Sequence, residues 1–178
     1  MSRAYPTILI IGHGRHGKDT VAEYFADTFD MTYKSSSQAA AEIFIYDELK
    51  DNYGYKNFNE CYEDRVNRRS EWYQMITRYN SGDRAKLAKG ILVNNQCYVG
   101  MRDRDEITEC IRQGIFDIII WVDASKRFPP ESSDSFNIDV SCADFIIDNN
   151  GTFRELREKL FRIGGILFQN RWNFQYDK

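Results

Sequence analysis

The chain has 178 residues, 42% hydrophobic and 29% charged, with a formal net charge of −3. That is enough for a single globular domain with a real core, and too apolar for a disordered segment. The mild acidity argues against broad nucleic-acid binding, and no stretch approaches the roughly 20 apolar residues of a membrane span. Residues 1–6 lack the apolar core of a signal peptide. Cys61, Cys97, Cys110 and Cys142 are dispersed without a C-x-x-C pair. They read as reduced thiols rather than a disulfide frame or zinc site, so a soluble, cytoplasmic protein is expected.

Residues 7–11 form an apolar run that reads as a first strand. Gly12-His13-Gly14-Arg15-His16-Gly17-Lys18-Asp19-Thr20 follows it and opens a helix with Val21, Phe25 and Phe29 on one face. Strand, glycine-rich loop and helix are the context that a phosphate-binding loop requires. The glycines let successive N–H groups converge on phosphate oxygens, and the helix start adds its positive dipole end. Lys18 supplies a mobile positive charge. A Walker A loop ends Gly-Lys-Ser/Thr with the hydroxyl on Mg²⁺. Here Asp19 follows the lysine and the hydroxyl comes at Thr20, so both are candidate Mg²⁺ contacts; Asp19 reads equally as a first-turn acid on the helix dipole. His13 and His16 are the only histidines, and since the loop works through its backbone, neither needs a metal or catalytic role.

Residues 31–36 read as a second strand ending in Ser35, Ser36 and Ser37. A helix over 38–52 follows, stopped by Gly54. Residues 57–80 are rich in tyrosine and arginine, with helical spacing in the second half, and 84–93 is helical again. A strand at 96–101 leads to a helix over 105–113 with an expected buried face of Ile107, Cys110 and Ile111. The continuous apolar run 116–122 suits a strand buried on both faces of a parallel sheet. A polar loop over 123–139 precedes the last strand, 143–147. The last helix opens on a capping box of Thr152 and Glu155, with a core stripe of Phe153, Leu156, Leu160, Ile163 and Leu167. The alternation predicts an α/β fold: a central parallel five-stranded sheet flanked by helices, as one domain over 1–178. The aromatic tail 168–178 would dock on its own domain or on a second copy, as in a homodimer.

Three segments carry a resemblance. The Gly-Lys-Asp-Thr ending at residues 17–20 resembles the deoxynucleoside monophosphate kinases of bacteriophages, within the phosphate-loop nucleoside monophosphate kinases. Residues 98–106, Tyr-Val-Gly-Met-Arg-Asp-Arg-Asp-Glu, are similar to a stretch of those kinases that runs strand, Asp-x-Arg, two or three residues, Glu, helix. Arg102 and Glu106 match it, whereas Gly100 stands where the family has its aspartate; Asp103 and Asp105 are the nearest acids. Residues 144–156 resemble the strand, Asn, Gly, Ser/Thr, helix ending of the same kinases, which flanks the adenine and so implicates Asn149 and Gly151.

The resemblance implies a transfer of the γ-phosphate of ATP, with Mg²⁺, to a (deoxy)nucleoside monophosphate, in a host cytoplasm if the chain is viral. The loop residues Gly12, Gly14, Arg15, His16, Gly17, Lys18, Asp19 and Thr20 would hold ATP. The acceptor region would span about 38–95, with Ser35, Ser36, Arg65, Arg68, Arg69, Trp72 and Arg102 as candidate contacts, since arginine forks suit phosphate and rings suit bases. Arg68, Arg69 and Gln74 match the family's arginine helix only loosely. The loop at about 123–139 stands in the place of a lid, with Lys126 and Arg127 as its closing cations; Lys18, Arg102 and Arg127 would be catalytic. Two alternatives stay open: a phosphate-loop kinase of another acceptor, such as a modified base in phage DNA, and a non-catalytic nucleotide-binding module. The absence of an Asn-Lys-x-Asp motif excludes a GTPase switch.

Overall fold

The structure, a computed structural model, describes residues 5–133 and 135–168. The tail beyond Phe168 lies outside the described residues. Phe168 itself is buried, stacked on Phe29 with ring centroids 4.7 Å apart.

Five parallel strands form one sheet in the order β2-β3-β1-β4-β5. They are β1 (Ile8–Ile11), β2 (Tyr33–Ser35), β3 (Cys97–Val99), β4 (Ile118–Asp123) and β5 (Phe145–Asp148). All four residues of β1 have no exposed surface, as its central place between β3 and β4 demands. Its side chains alternate between two cores. Ile8 and Ile10 face Val21, Phe25, Leu156 and Leu160, on α1 (Lys18–Phe29) and α8 (Phe153–Leu167). Leu9 and Ile11 face Leu87, Ile91, Ile107 and Cys110, on α6 (Lys86–Leu92) and α7 (Arg104–Arg112). The expected α/β class, with its five parallel strands, is the one observed. From β1 the chain turns towards β2, and from β3 it crosses to β4, so a crevice opens at the carboxyl ends of β1 and β3.

Between β2 and β3 lies a helical region with its own small core. It contains α2 (Ser36–Ala40), a π-helical turn (Ala41–Ile45), α3 (Tyr46–Tyr53), α4 (Phe58–Asp64) and α5 (Arg69–Tyr79). Ala40, Ile45, Leu49, Cys61, Trp72 and Met75 pack together there. The helix expected from residue 38 starts two residues earlier, because the Ser35 hydroxyl accepts from Gln38 N and caps it. It ends as expected at Gly54, whose φ of 68° is left-handed. Helix α4 was not anticipated, since its polar sequence buries only Cys61. Two helix faces also differ from expectation. Ile111 is 51% exposed, and its place on the inner face of α7 is taken by Glu106, 3% exposed. On α8 the capping box is formed, but Phe153 is 61% exposed and the stripe begins at Leu156. No helix of the described residues is long and apolar enough to cross a membrane.

Candidate active site

The loop between β1 and α1 carries three left-handed or otherwise unusual backbone positions: Gly12 at φ 141°, Arg15 at 66° and Gly17 at 94°. A Cβ on Gly12 would strike the Val122 carbonyl, and one on Gly17 the Asn149 side chain. Helix α1 has no side-chain cap, unlike α7, capped by Asp103, and α8, capped by Thr152. Among the described residues no acceptor takes the amides of Arg15, Gly17, Lys18, Asp19 or Thr20. An uncapped helix start with its amides unpaired is an anion site in waiting.

Lys18 Nζ donates to the His13 carbonyl at 2.8 Å. Burial, helped by the charge of Arg102, lowers its pKa to about 8. A nearby anion would hold it protonated. His16 is fully buried and braces the loop: its Nδ1 accepts from Ala124 N at 3.0 Å, and its Nε2 faces the Phe128 carbonyl at 3.3 Å. His13 Nδ1 accepts from Glu131 N at 3.1 Å. Both imidazoles thus tie the phosphate loop to the loop after β4.

That second loop contributes the residue that sequence reasoning missed. The Glu131 carboxylate accepts from Gly14 N at 2.6 Å, from Arg102 Nη1 at 2.7 Å and from Arg69 Nη1 at 3.2 Å. Its burial opposes ionisation, but the hydrogen bond and charge of Arg102 outweigh this and hold the carboxyl below its ordinary range. A loop amide and two arginines, from the phosphate loop, from α5 and from the turn after β3, therefore converge on one anion. The expected closing cations lie elsewhere: Lys126 and Arg127 are exposed, and Arg127 stands over the Phe128 ring.

A cavity of about 310 Å³ runs on from this point. Gly14, Arg15, Lys18 and Asp19 line its phosphate-loop side, with Ser35, Ser36, Arg65 and Arg102 around it. Along one wall runs a single face of α5: Arg69, Trp72, Tyr73, Ile76 and Thr77, at helical spacing. Asp103 and Glu106, from the start of α7, and the end of β3 also line it. Arg65 lines the cavity with its guanidinium 3.8 Å from the centre of the Tyr62 ring, and its Nη1 donates to the Tyr62 carbonyl at 2.7 Å. Ser36 Oγ donates to the Gly100 carbonyl at 3.0 Å.

Three candidates are placed away from the roles read in sequence. Arg68 does not line the cavity; Asp64 and the Tyr55 hydroxyl hold its guanidinium, which lies over the Tyr53 ring. Asn149 is buried and donates from Nδ2 to the His16 carbonyl at 2.9 Å, so it braces the phosphate loop. Gly151 leaves room for the Glu155 carboxylate of the α8 capping box. Gly100 sits at φ 94°, a conformation that an aspartate would adopt only under strain. Asp103, the nearest acid, is already engaged: its Oδ1 accepts from Asp105 N and Glu106 N, and its Oδ2 accepts from the Tyr73 hydroxyl at 2.7 Å. Asp19 lines the cavity and Thr20 follows it on α1.

No protein-family model matches the chain, and no curated protein matches it. Solved structures do. Shikimate kinase from Bacteroides thetaiotaomicron is 12% identical, with a TM-score of 0.48 over 90% of this chain and 97% of that one. Shikimate kinase from Aquifex aeolicus is 12% identical at 0.44, covering 88% and 94%, and a sugar kinase from Janibacter sp. is 12% identical at 0.43, covering 93% and 95%. These scores all fall below 0.5, so the chemistry of the site stands on the geometry of this chain alone.

Proposed function

We propose that the protein transfers the γ-phosphate of ATP to a (deoxy)nucleoside monophosphate, giving ADP and the diphosphate. The observation that carries this reading is the convergence of Gly14 N, Arg69 and Arg102 on one carboxylate, Glu131, at the junction of the phosphate loop and a ring-lined cavity. Two arginines and a phosphate loop around one point suit an in-line transfer between two phosphates, in which positioning and charge neutralisation do most of the work. The resemblance of residues 7–29, 97–111 and 143–160 to the phage kinases agrees with it.

In this reading the nucleotide phosphates displace the Glu131 carboxylate and take up the free amides of residues 15 and 17–20. Lys18 then leaves the His13 carbonyl for the transferring group, which also keeps it protonated. Arg102 bridges donor and acceptor phosphates, and Arg69 and Arg65 hold the acceptor. Thr20 and Asp19, a hydroxyl and one carboxylate, are a donor set that suits Mg²⁺ shared with phosphates. Bound there, the ion would neutralise charge on the β- and γ-oxygens.

The test is ADP release from ATP-Mg²⁺ across a panel of ribo- and deoxyribonucleoside monophosphates, with Lys18→Ala as control. Turnover stimulated by one or several monophosphates and abolished in the variant is expected. ATP binding without such stimulation would overturn the reading and favour another acceptor or a binding module.

A further inference from the structure

The inner end of the cavity holds a carboxyl that the phosphate chemistry does not use. Glu106 is 3% exposed yet lines the cavity. Its Oε1 accepts from Asn80 Nδ2 at 2.8 Å, and no donor among the described residues reaches Oε2. Asn80 is itself fixed, because its Oδ1 accepts from Leu87 N at 3.0 Å. Its amide therefore presents only N–H to Glu106. The carboxyl is thus held in one orientation, with its second oxygen open to the cavity and set to accept a donor from whatever fills it.

The placement indicates what that donor is. Arg69 opens α5 and reaches Glu131 at the phosphate loop, whereas Asn80 closes α5 and reaches Glu106. Eleven residues of helix separate these ends by roughly 16 Å. Trp72, Tyr73, Ile76 and Thr77 line the cavity between them. A ligand with its phosphate at Arg69 thus meets rings along its length and a carboxyl at its far edge. We propose that Glu106, oriented by Asn80, determines acceptor specificity by taking a hydrogen bond from an exocyclic amino group of the nucleobase. The inference rests on the monophosphate kinase reading and names the base edge that the site selects.

A carboxylate set to accept from an amino group disfavours a ring that lacks it, because that ring covers the oxygen and cuts it off from water without replacing the hydrogen bond. The experiment compares kcat/KM for monophosphates of guanine, adenine and cytosine, each against the ring lacking only its amino group, in the full chain and in Glu106→Gln. Glutamine can keep an oxygen on Asn80 but turns N–H towards the base. At least one amino-bearing acceptor should be preferred over its partner by roughly 10- to 100-fold, the worth of a hydrogen bond to a charged group. Glu106→Gln should lose at least a tenfold share of that preference, mainly through acceptor KM. A preference that survives in the variant, or none in the unaltered protein, overturns the inference while leaving the kinase reading intact. If no monophosphate turns over, the kinase reading falls and this inference with it. Should the variant fail to fold, the amino preference of the unaltered protein across pH 6–8 decides instead. It should rise with pH as the carboxyl ionises, and a flat ratio overturns the inference.

Discussion

The two ends of the cavity are built on opposite plans. At the phosphate loop the determinants are contiguous: nine residues bend the backbone, leave amides free and supply the lysine. An internal carboxylate, Glu131, already stands where an anion belongs. At the far end the determinants come from α5, the start of α7 and Asn80, and the carboxyl of Glu106 has no protein donor on its second oxygen. One end is rehearsed by the protein itself, whereas the other waits for a ligand. On the proposed reading, the phosphate-loop end exchanges an internal anion for an external one, and the Glu106 end has no internal ligand to exchange.

The largest effect expected from breaking this contrast is at Lys18. Lys18→Ala removes the loop cation that the proposed reading assigns to the transferring group. It should cut kcat by roughly 100-fold or more for every acceptor alike, as the loss of one preorganised charge does. Steady-state rates with two different monophosphates check this; an acceptor-dependent loss would break the division between the ends. Arg69→Ala should act from the other side, raising acceptor KM by roughly 10-fold or more, the scale of a charge-assisted hydrogen bond. Its effect on ATP affinity should be much smaller.

Glu131 tests the idea of an internal anion. Glu131→Gln removes the charge but keeps the length of the side chain, so ADP and ATP should bind several-fold more tightly, measured by calorimetry at low salt. The competing carboxylate would be gone and two arginines freed; weaker binding would mean that Glu131 organises the site rather than occupying it. A pH series separates the two ends further. Lys18 titrates at about 8, among Arg102, Asp19, Glu131 and Arg69. Only the protonated form serves phosphate, so kcat/KM for ATP should fall as pH rises through 8. Glu106 is pushed up to about 7 by burial, with Asp103 raising and Arg84 lowering it, and Tyr73, Tyr98 and Cys110 close by. As it ionises, kcat/KM for an amino-bearing acceptor should rise through pH 7, and Glu106→Gln should remove that limb.

The same contrast explains what was legible in sequence. Residues 12–20 could be read because their chemistry is local, needing only glycine, lysine and a following helix. The parallel sheet could be read because β1 and β4 are continuous apolar runs that must be buried on both faces. The wall of α5 was partly legible: Arg69 and Trp72 were singled out, but the full face, with Tyr73, Ile76, Thr77 and then Asn80, appears only once the helix phase is known. Arg68, one residue from Arg69, turns to Asp64 and Tyr55 instead. Glu131 was hidden for another reason. A lid was expected to close with cations, and nothing local marks an acid, 117 residues from Gly14, as its partner. On α7, Ile107 and Cys110 lie on the inner face as expected, and only Ile111 was misplaced, because the third inner position is taken by the acid Glu106.

Gly100 offers the smallest and most discriminating effect. The resembling kinases have an aspartate here, and restoring it would test whether this position completes a metal site. The backbone argues otherwise, because Gly100 sits at φ 94° with its carbonyl held by the Ser36 hydroxyl. Gly100→Asp should cost about 1 kcal/mol of stability from the left-handed backbone alone, seen as a modest fall in Tm. It should bring no gain in kcat at any Mg²⁺ concentration. The turn has settled into a conformation suited to glycine, with Arg102 aimed at the anion site two residues on. A tenfold rise in Mg²⁺-dependent turnover would instead mark Gly100 as a lost metal acid, and would move the metal from α1 to the end of β3.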